Sequence, residues 1–134
     1  MRDQDKQHRL EGPDAPATAE LMRIFARHGF TSSEEPSDVA DASAVAVTAL
    51  GGALASAEIV LGCQARTGRC FFIRRNEAGE ASGFIALLFL NALGFEALMY
   101  GRLSPDNPDL DQLPAPGERA SAIYVWCLAG VSEA

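Results

Sequence analysis

Apolar and polar positions alternate most sharply in residues 69–90, RCFFIRRNEAGEASGFIALLFL. A short apolar run at 70–73 meets a polar turn at 74–80, and a longer apolar run at 83–90 follows. Aromatic and β-branched residues on both sides of a turn holding Asn76 and Gly79 predict a hairpin with strands at 70–74 and 83–90. The second strand is apolar at successive positions, with Phe84, Ile85, Leu87, Leu88, Phe89 and Leu90. A strand with one wet face would alternate, so this one is expected to be central and covered on both sides. A third run, 95–100, follows a turn at 91–94 and predicts a third antiparallel strand. Residues 121–128, SAIYVWCL, predict a further strand by their β-branched and aromatic content.

Upstream the period lengthens to that of helices. Leu21, Ile24, Phe25 and His28 recur at i, i+3, i+4 and i+7, one stripe of a helix that starts near 14–16 with Pro16 in its first turn and Asp14 or Thr18 as cap. Gly29 supplies the left-handed position that ends it, and His28 sits at that end, where a cation is favoured. Ser37 opens a second helix. Its face of Val39, Ala42, Ala46, Ala49 and Ala53, with Val45 and Leu50 beside it, is made of small residues suited to close packing. Gly51 and Gly52 interrupt the pattern, leaving open whether the helix ends, kinks or resumes through 54–61 to close at Gly62. Residues 102–119, rich in proline and aspartate, have no period and read as a solvated loop. Residues 1–15 read as a mobile tail, and 16–134 as a single domain.

At 134 residues the chain is long enough to bury one core without metals or disulfides. A net charge of −7 gives little support to a nucleic-acid or anionic-membrane surface, and Arg66, Arg69, Arg74 and Arg75 form the one candidate basic cluster. Residues 83–101 approach the ~20 needed to span a bilayer. Asn91 and Glu96 fall near their middle, where polar and charged groups are costly, so two strands are expected rather than a span. Cys63, Cys70 and Cys127 cannot all pair and lack metal-ligand spacing, and the polar N-terminus has no signal-peptide core. Reduced thiols in the cytoplasm follow, with Cys70 and Cys127 read as small buried hydrophobes.

Phosphate-binding glycine loops, zinc motifs and nucleophile elbows are absent from the sequence. The acid–base candidates near apolar strands are Glu96, whose carboxyl such surroundings would raise toward general-base work, and Tyr124, whose phenol could protonate a leaving group. Tyr124 and Trp126 alternate with Val125 and Cys127, which places the aromatic pair on one sheet face as core or pocket wall.

The order of elements resembles the GNAT superfamily of acyl-CoA-dependent N-acyltransferases. Two helices come first, then a hairpin with Ile73, Gly79, Gly83 and Phe84 in the family's style, then the late strand AIYVWCLAGVSEA. Toxin-activating lysine acyltransferases, distant members, share that hairpin style. The resemblance implies an α+β domain, two N-terminal helices packed on a mainly antiparallel sheet with a central hairpin. It also implies acetyl-CoA or acyl-CoA as cofactor, with Cys127, Leu128, Ala129, Gly130 and Val131 holding the pantetheine arm and Glu96 or Tyr124 moving a proton. The family's pyrophosphate signature, Arg/Gln-x-x-Gly-x-Gly/Ala at a helix start, has no counterpart through Ala134. The alternative from a different class is a small-ligand-binding or dimerisation module, a homo-oligomer joined through an exposed sheet edge at 123–128.

Overall fold

The computed structural model describes residues 15–51 and 55–131. The expected N-terminal tail, the Asp14 cap and the Ala53 position lie outside the described residues. The elements run α1 (Ala15–Arg27), β1 (Thr31–Ser32), α2 (Pro36–Leu50), α3 (Ala57–Thr67), β2 (Phe71–Arg75), β3 (Ala81–Leu90), α4 (Ala92–Met99), a 3-10 turn (Leu110–Gln112) and β4 (Ala122–Gly130). The four strands form one antiparallel sheet in the order β1-β2-β3-β4. This is the α+β class expected from the sequence, with the hairpin at its centre.

β2 and β3 are joined by a tight turn in which the Asn76 amide donates to the Glu80 carbonyl at 2.9 Å, and Gly79 takes the left-handed φ of 84°. Asn76 Oδ1 accepts from the Ala78 and Glu80 amides, which explains the choice of asparagine there. β3 is buried along nearly all of its length, as its unbroken apolar run predicts. Phe84, Ala86, Leu88 and Leu90 face α2 and α3, where Val39, Ala42, Val45, Ala46, Val60, Cys63 and Cys70 meet them. Leu87 and Phe89 face the other way, onto Leu21, Met22 and Phe25 of α1. The small residues Ala42 and Ala46 are at most 1% exposed, so α2 lies close on the sheet.

Several expectations need correction. The break at Gly51, which the sequence leaves open, is a helix end, with Gly51 left-handed at φ 73°, and α3 is a separate helix. Gly62 lies inside α3, and Gly68 is the glycine that ends it. Among the described residues, three helices therefore precede the hairpin. The expected third strand at 95–100 is helical instead. Asn91 acts as its cap, its Oδ1 accepting from the Gly94 amide at 2.9 Å, and the following Ala, Leu, Glu and Met residues favour helix. The apolar run from β3 thus turns a corner at Asn91. Among the described residues no helix is long and apolar enough to cross a membrane.

Residues 102–119 are not a loose solvated loop. Leu113 is fully buried with Cys63, Cys70, Leu88 and Leu90, and Pro114 is buried beside it. The Arg66 guanidinium donates to the Leu113 carbonyl at 2.9 Å, and the Trp126 indole donates to the Pro105 carbonyl at 2.8 Å. The segment is a packed strap across α3, α4 and β4.

Candidate functional site

β4 lies at the edge of the sheet, paired to β3 alone among the described residues. Its ladder contains a bulge: Cys127 lies opposite Ala86 and Val125 opposite Leu87, which leaves Trp126 as an extra residue. The bulge changes which side chains share a face. Tyr124, Trp126 and Cys127 all pack toward α2 and α3, and Ala129 and Val131 continue that row. Val125 and Leu128 lie on the α1 side, 57% and 58% exposed. The expected grouping of Tyr124 with Trp126 holds, and the bulge adds Cys127 to it.

The backbone direction follows from the ladder. Val131 donates to the Ser82 carbonyl at 2.9 Å, so Val131, Ala129 and Cys127 turn their polar groups inward to β3. Leu128 and Gly130 therefore turn their N–H and C=O groups outward. Before the bulge, Ile123 and Val125 do the same. Of the five residues expected to line a cofactor arm, two turn their backbone groups away from β3 and three are engaged in the sheet.

The catalytic candidates are not brought together on adjacent strands. Glu96 stands exposed on α4. Tyr124 is half-buried on β4, packed against the cluster of Cys63, Cys70, Leu88, Leu90 and Leu113. Burial pushes the Cys127 thiol up, and the neighbouring Cys63 thiol together with burial pushes Cys70 well up. Neither is prepared as a nucleophile, and all three thiols are unpaired.

The candidate basic cluster is occupied by internal partners. Arg66 binds the Leu113 carbonyl, and Arg69 binds the Glu118 carbonyl at 2.8 Å while lying over the Phe89 ring. Arg74 donates to Ser82 Oγ at 3.0 Å and covers the Phe30 ring. Arg75 bridges to Asp38 and Asp41 of α2. Sequence spacing grouped these four, but each serves a different join between elements.

Sequence reasoning missed the buried Gln64. Its Oε1 accepts from the Cys70 and Phe71 amides, 2.8 Å each, and so fastens α3 to the start of β2. The polar position between Cys63 and Ala65 in an otherwise mixed helix gave no signal of this. A concavity of about 650 Å³ opens between the start of α4 and the strap, lined by Asn91, Leu93, Phe95, Asp111, Arg119 and Ser121 among others. Among the described residues no group of three acidic, histidine or cysteine side chains could hold a metal ion. No family model, curated protein or solved structure matches the chain.

Proposed function

We propose that this domain binds an acyl-CoA thioester along the outer edge of β4, as an N-acyltransferase of the GNAT type would, in the cytoplasm where its thiols stay reduced. The observation that carries the reading is a bulge at Trp126 on a strand that is an edge among the described residues. Support also comes from the element order, in which β1, the helices α2 and α3 and the antiparallel β2-β3 hairpin follow one another, and β4 joins β3 after α4 and the strap.

The outward N–H and C=O groups of Leu128 and Gly130 would pair with the amides of a pantetheine arm, as an added strand does. The thioester then lies beside the bulge. An acceptor amine attacks its carbonyl carbon, the carbon–sulfur bond breaks, the attacking nitrogen releases a proton to solvent, and the departing thiolate takes one up from a donor that solvent reprotonates. Tyr124, two positions before the bulge, is the group proposed to supply that proton. Glu96, exposed on α4 and not on β4, is not assigned that role.

The test is calorimetric titration with acetyl-CoA and with a long-chain acyl-CoA. Saturable heat with one of them is expected, and Leu128→Pro is expected to abolish it. That substitution removes an outward donor and no ladder bond, so the sheet should survive. Absence of heat with both thioesters removes the enzyme reading.

A second reading rests on Val125 and Leu128, two exposed apolar side chains on a strand without a single charge. Such an edge invites a second copy of the chain. The module would then be a dimer joined through β4, and a monomeric mass in solution rejects that version.

A further inference from the structure

The turn that joins α3 to β2 brings two cysteines together. Cys63 lies in the last turns of α3, and Gly68 then takes a left-handed φ of 72° and reverses the chain. Cys70 comes to lie beside Cys63 in one buried cluster with Leu88, Leu90 and Leu113. The backbone is pinned on each side of the pair. The Thr67 hydroxyl donates to the Cys63 carbonyl at 3.1 Å. The Cys70 amide donates to Gln64 Oε1, and the Cys70 carbonyl accepts from the Leu87 amide, 2.8 Å each.

The two thiols are not equivalent. Cys63 lines a concavity of about 510 Å³ between α3 and the strap, together with Ser56, Ile59, Asn107 and Pro108. Cys70 is fully buried. The Cys70 S–H donates to the Cys63 sulfur, which holds the Cys63 thiol below its ordinary value against the opposing effect of burial. The same contact, together with burial, pushes Cys70 well up. One sulfur borders open space with the greater thiolate character, and the other waits protonated beside it. A thiol that is attacked first and a neighbour that resolves it are arranged in this way.

We infer that Cys63 and Cys70 form a reversible disulfide when the protein meets a peroxide, with Cys63 oxidised first and Cys70 resolving it. The Cys63 sulfur attacks one peroxide oxygen, the oxygen–oxygen bond breaks, and water leaves with the thiol proton. Cys63 is then a sulfenic acid. The Cys70 sulfur attacks the Cys63 sulfur, the sulfur–oxygen bond breaks, and the hydroxyl leaves as water with the Cys70 proton. Two electrons pass from the thiol pair to the peroxide, and a dithiol such as dithiothreitol returns them by exchange. The bridge closes only a short segment, so it constrains the unfolded chain little and acts as a mark on the core rather than a staple. Tyr124 and Trp126 pack on the same cluster, and Trp126, the only tryptophan, reports the change. The inference stands on the thiols alone and is independent of acyl transfer at β4.

The experiment treats the full chain, reduced and then freed of reductant, with hydrogen peroxide. Remaining thiols are blocked with N-ethylmaleimide in denaturant, and unreduced tryptic peptides are mapped by mass spectrometry. Cleavage after Arg66 and Arg69 puts the two cysteines on separate peptides, so only a disulfide joins them. A linked Cys63–Cys70 pair is expected, two hydrogens lighter than its separate peptides and lost on adding dithiothreitol. Tryptophan emission is expected to shift over the same time course. In Cys70→Ala, dimedone is expected to label Cys63. Both cysteines still carrying maleimide after peroxide treatment would overturn the inference. So would a linked pair that includes Cys127, Cys63 carried to the sulfinic acid without a link, or dimedone found on Cys70 in Cys63→Ala but not on Cys63 in Cys70→Ala.

Discussion

Gly94 offers the sharpest test of how the strap is seated. It is the third residue of α4, and replacing an interior helical glycine by alanine ordinarily stabilises by about 1 kcal/mol. Here a Cβ would lie well inside 3.0 Å of the Gln112 carbonyl oxygen, a backbone atom that cannot swing away, and 3.1 Å from Leu90 Cβ. Relief requires the strap to move, and two bonds hold it there. The Asn91 amide donates to the Gln112 carbonyl at 3.0 Å, and Asn91 Nδ2 donates to the Asp111 carbonyl at 2.8 Å. Loss of each hydrogen bond removes about 1 kcal/mol net. Overpacking adds about 1–3 kcal/mol. After subtracting the helix gain, Gly94→Ala is expected to destabilise by roughly 2–4 kcal/mol, about 7–14 °C in melting temperature for a chain of this size. Gly62→Ala is the control. Gly62 is also helical, a Cβ there would meet nothing within 4 Å, and the substitution is expected to stabilise by about 1 kcal/mol. Thermal melts of the two variants beside the wild type decide the matter. If Gly94→Ala melts with or above Gly62→Ala, the strap does not press on α4 and the close packing at Gln112 is refuted.

Three other outcomes follow from the same contacts. Gln64→Leu leaves the Cys70 and Phe71 amides buried without acceptors and is expected to destabilise by about 2–4 kcal/mol in urea unfolding. Asp38 is held below the ordinary carboxylate value by the Ser33 hydroxyl and then by Arg75. A depressed folded pKa gives stability that is present above the unfolded value, about 3.9, and is lost as the pH falls through the folded one. The advantage of the wild type over Asp38→Asn should therefore stay level above about pH 5 and shrink below about pH 4 in melts across that range. Iodoacetamide should modify Cys127 ahead of Cys63 and Cys70, which are 1% and 0% exposed, and mass spectrometry of partly labelled native protein reads the order.

The hairpin and the late strand are legible in the sequence because local pattern and tertiary placement agree there. Phe84 to Leu90 are apolar on every face, and every face is covered. Asn91 is ambiguous, because an asparagine followed three residues on by glycine suits a turn between strands as well as a helix cap. The contact that favours the cap, Gly94 against Gln112, lies eighteen residues away in sequence and leaves no trace in local pattern. The strap is opaque for a related reason. Its anchors, Leu113 and Trp126, are single positions without period, and the proline and aspartate around them resemble solvated chain. Gln64 shows the limit most clearly: its role is fixed by β2 amides that only the folded chain places beside it. At the candidate site the strand is readable but the bulge is not, since no residue in IYVWCL demands one.

That bulge also weighs between the two uses of the β4 edge. In a regular strand the outward backbone groups recur every second residue, about 6.8 Å apart. Along β4 they fall at Ile123 and Val125, then at Leu128 and Gly130, so the interval across Trp126 is three residues. A second copy pairing through the full edge would have to match that irregular interval with its own bulge running in the opposite direction. The register can fit one half of the strand or the other, which leaves about two outward residues per protomer in the ladder. A pantetheine arm needs no more than Leu128 and Gly130, and its thioester end is not bound to a strand's repeat. The irregular edge therefore favours a short, non-repeating ligand over a second strand. Amide hydrogen exchange discriminates the two: protection confined to Leu128 and Gly130 on adding an acyl-CoA supports the ligand. Concentration-dependent protection extending to Ile123 and Val125 in its absence would refute that preference and establish the paired edge.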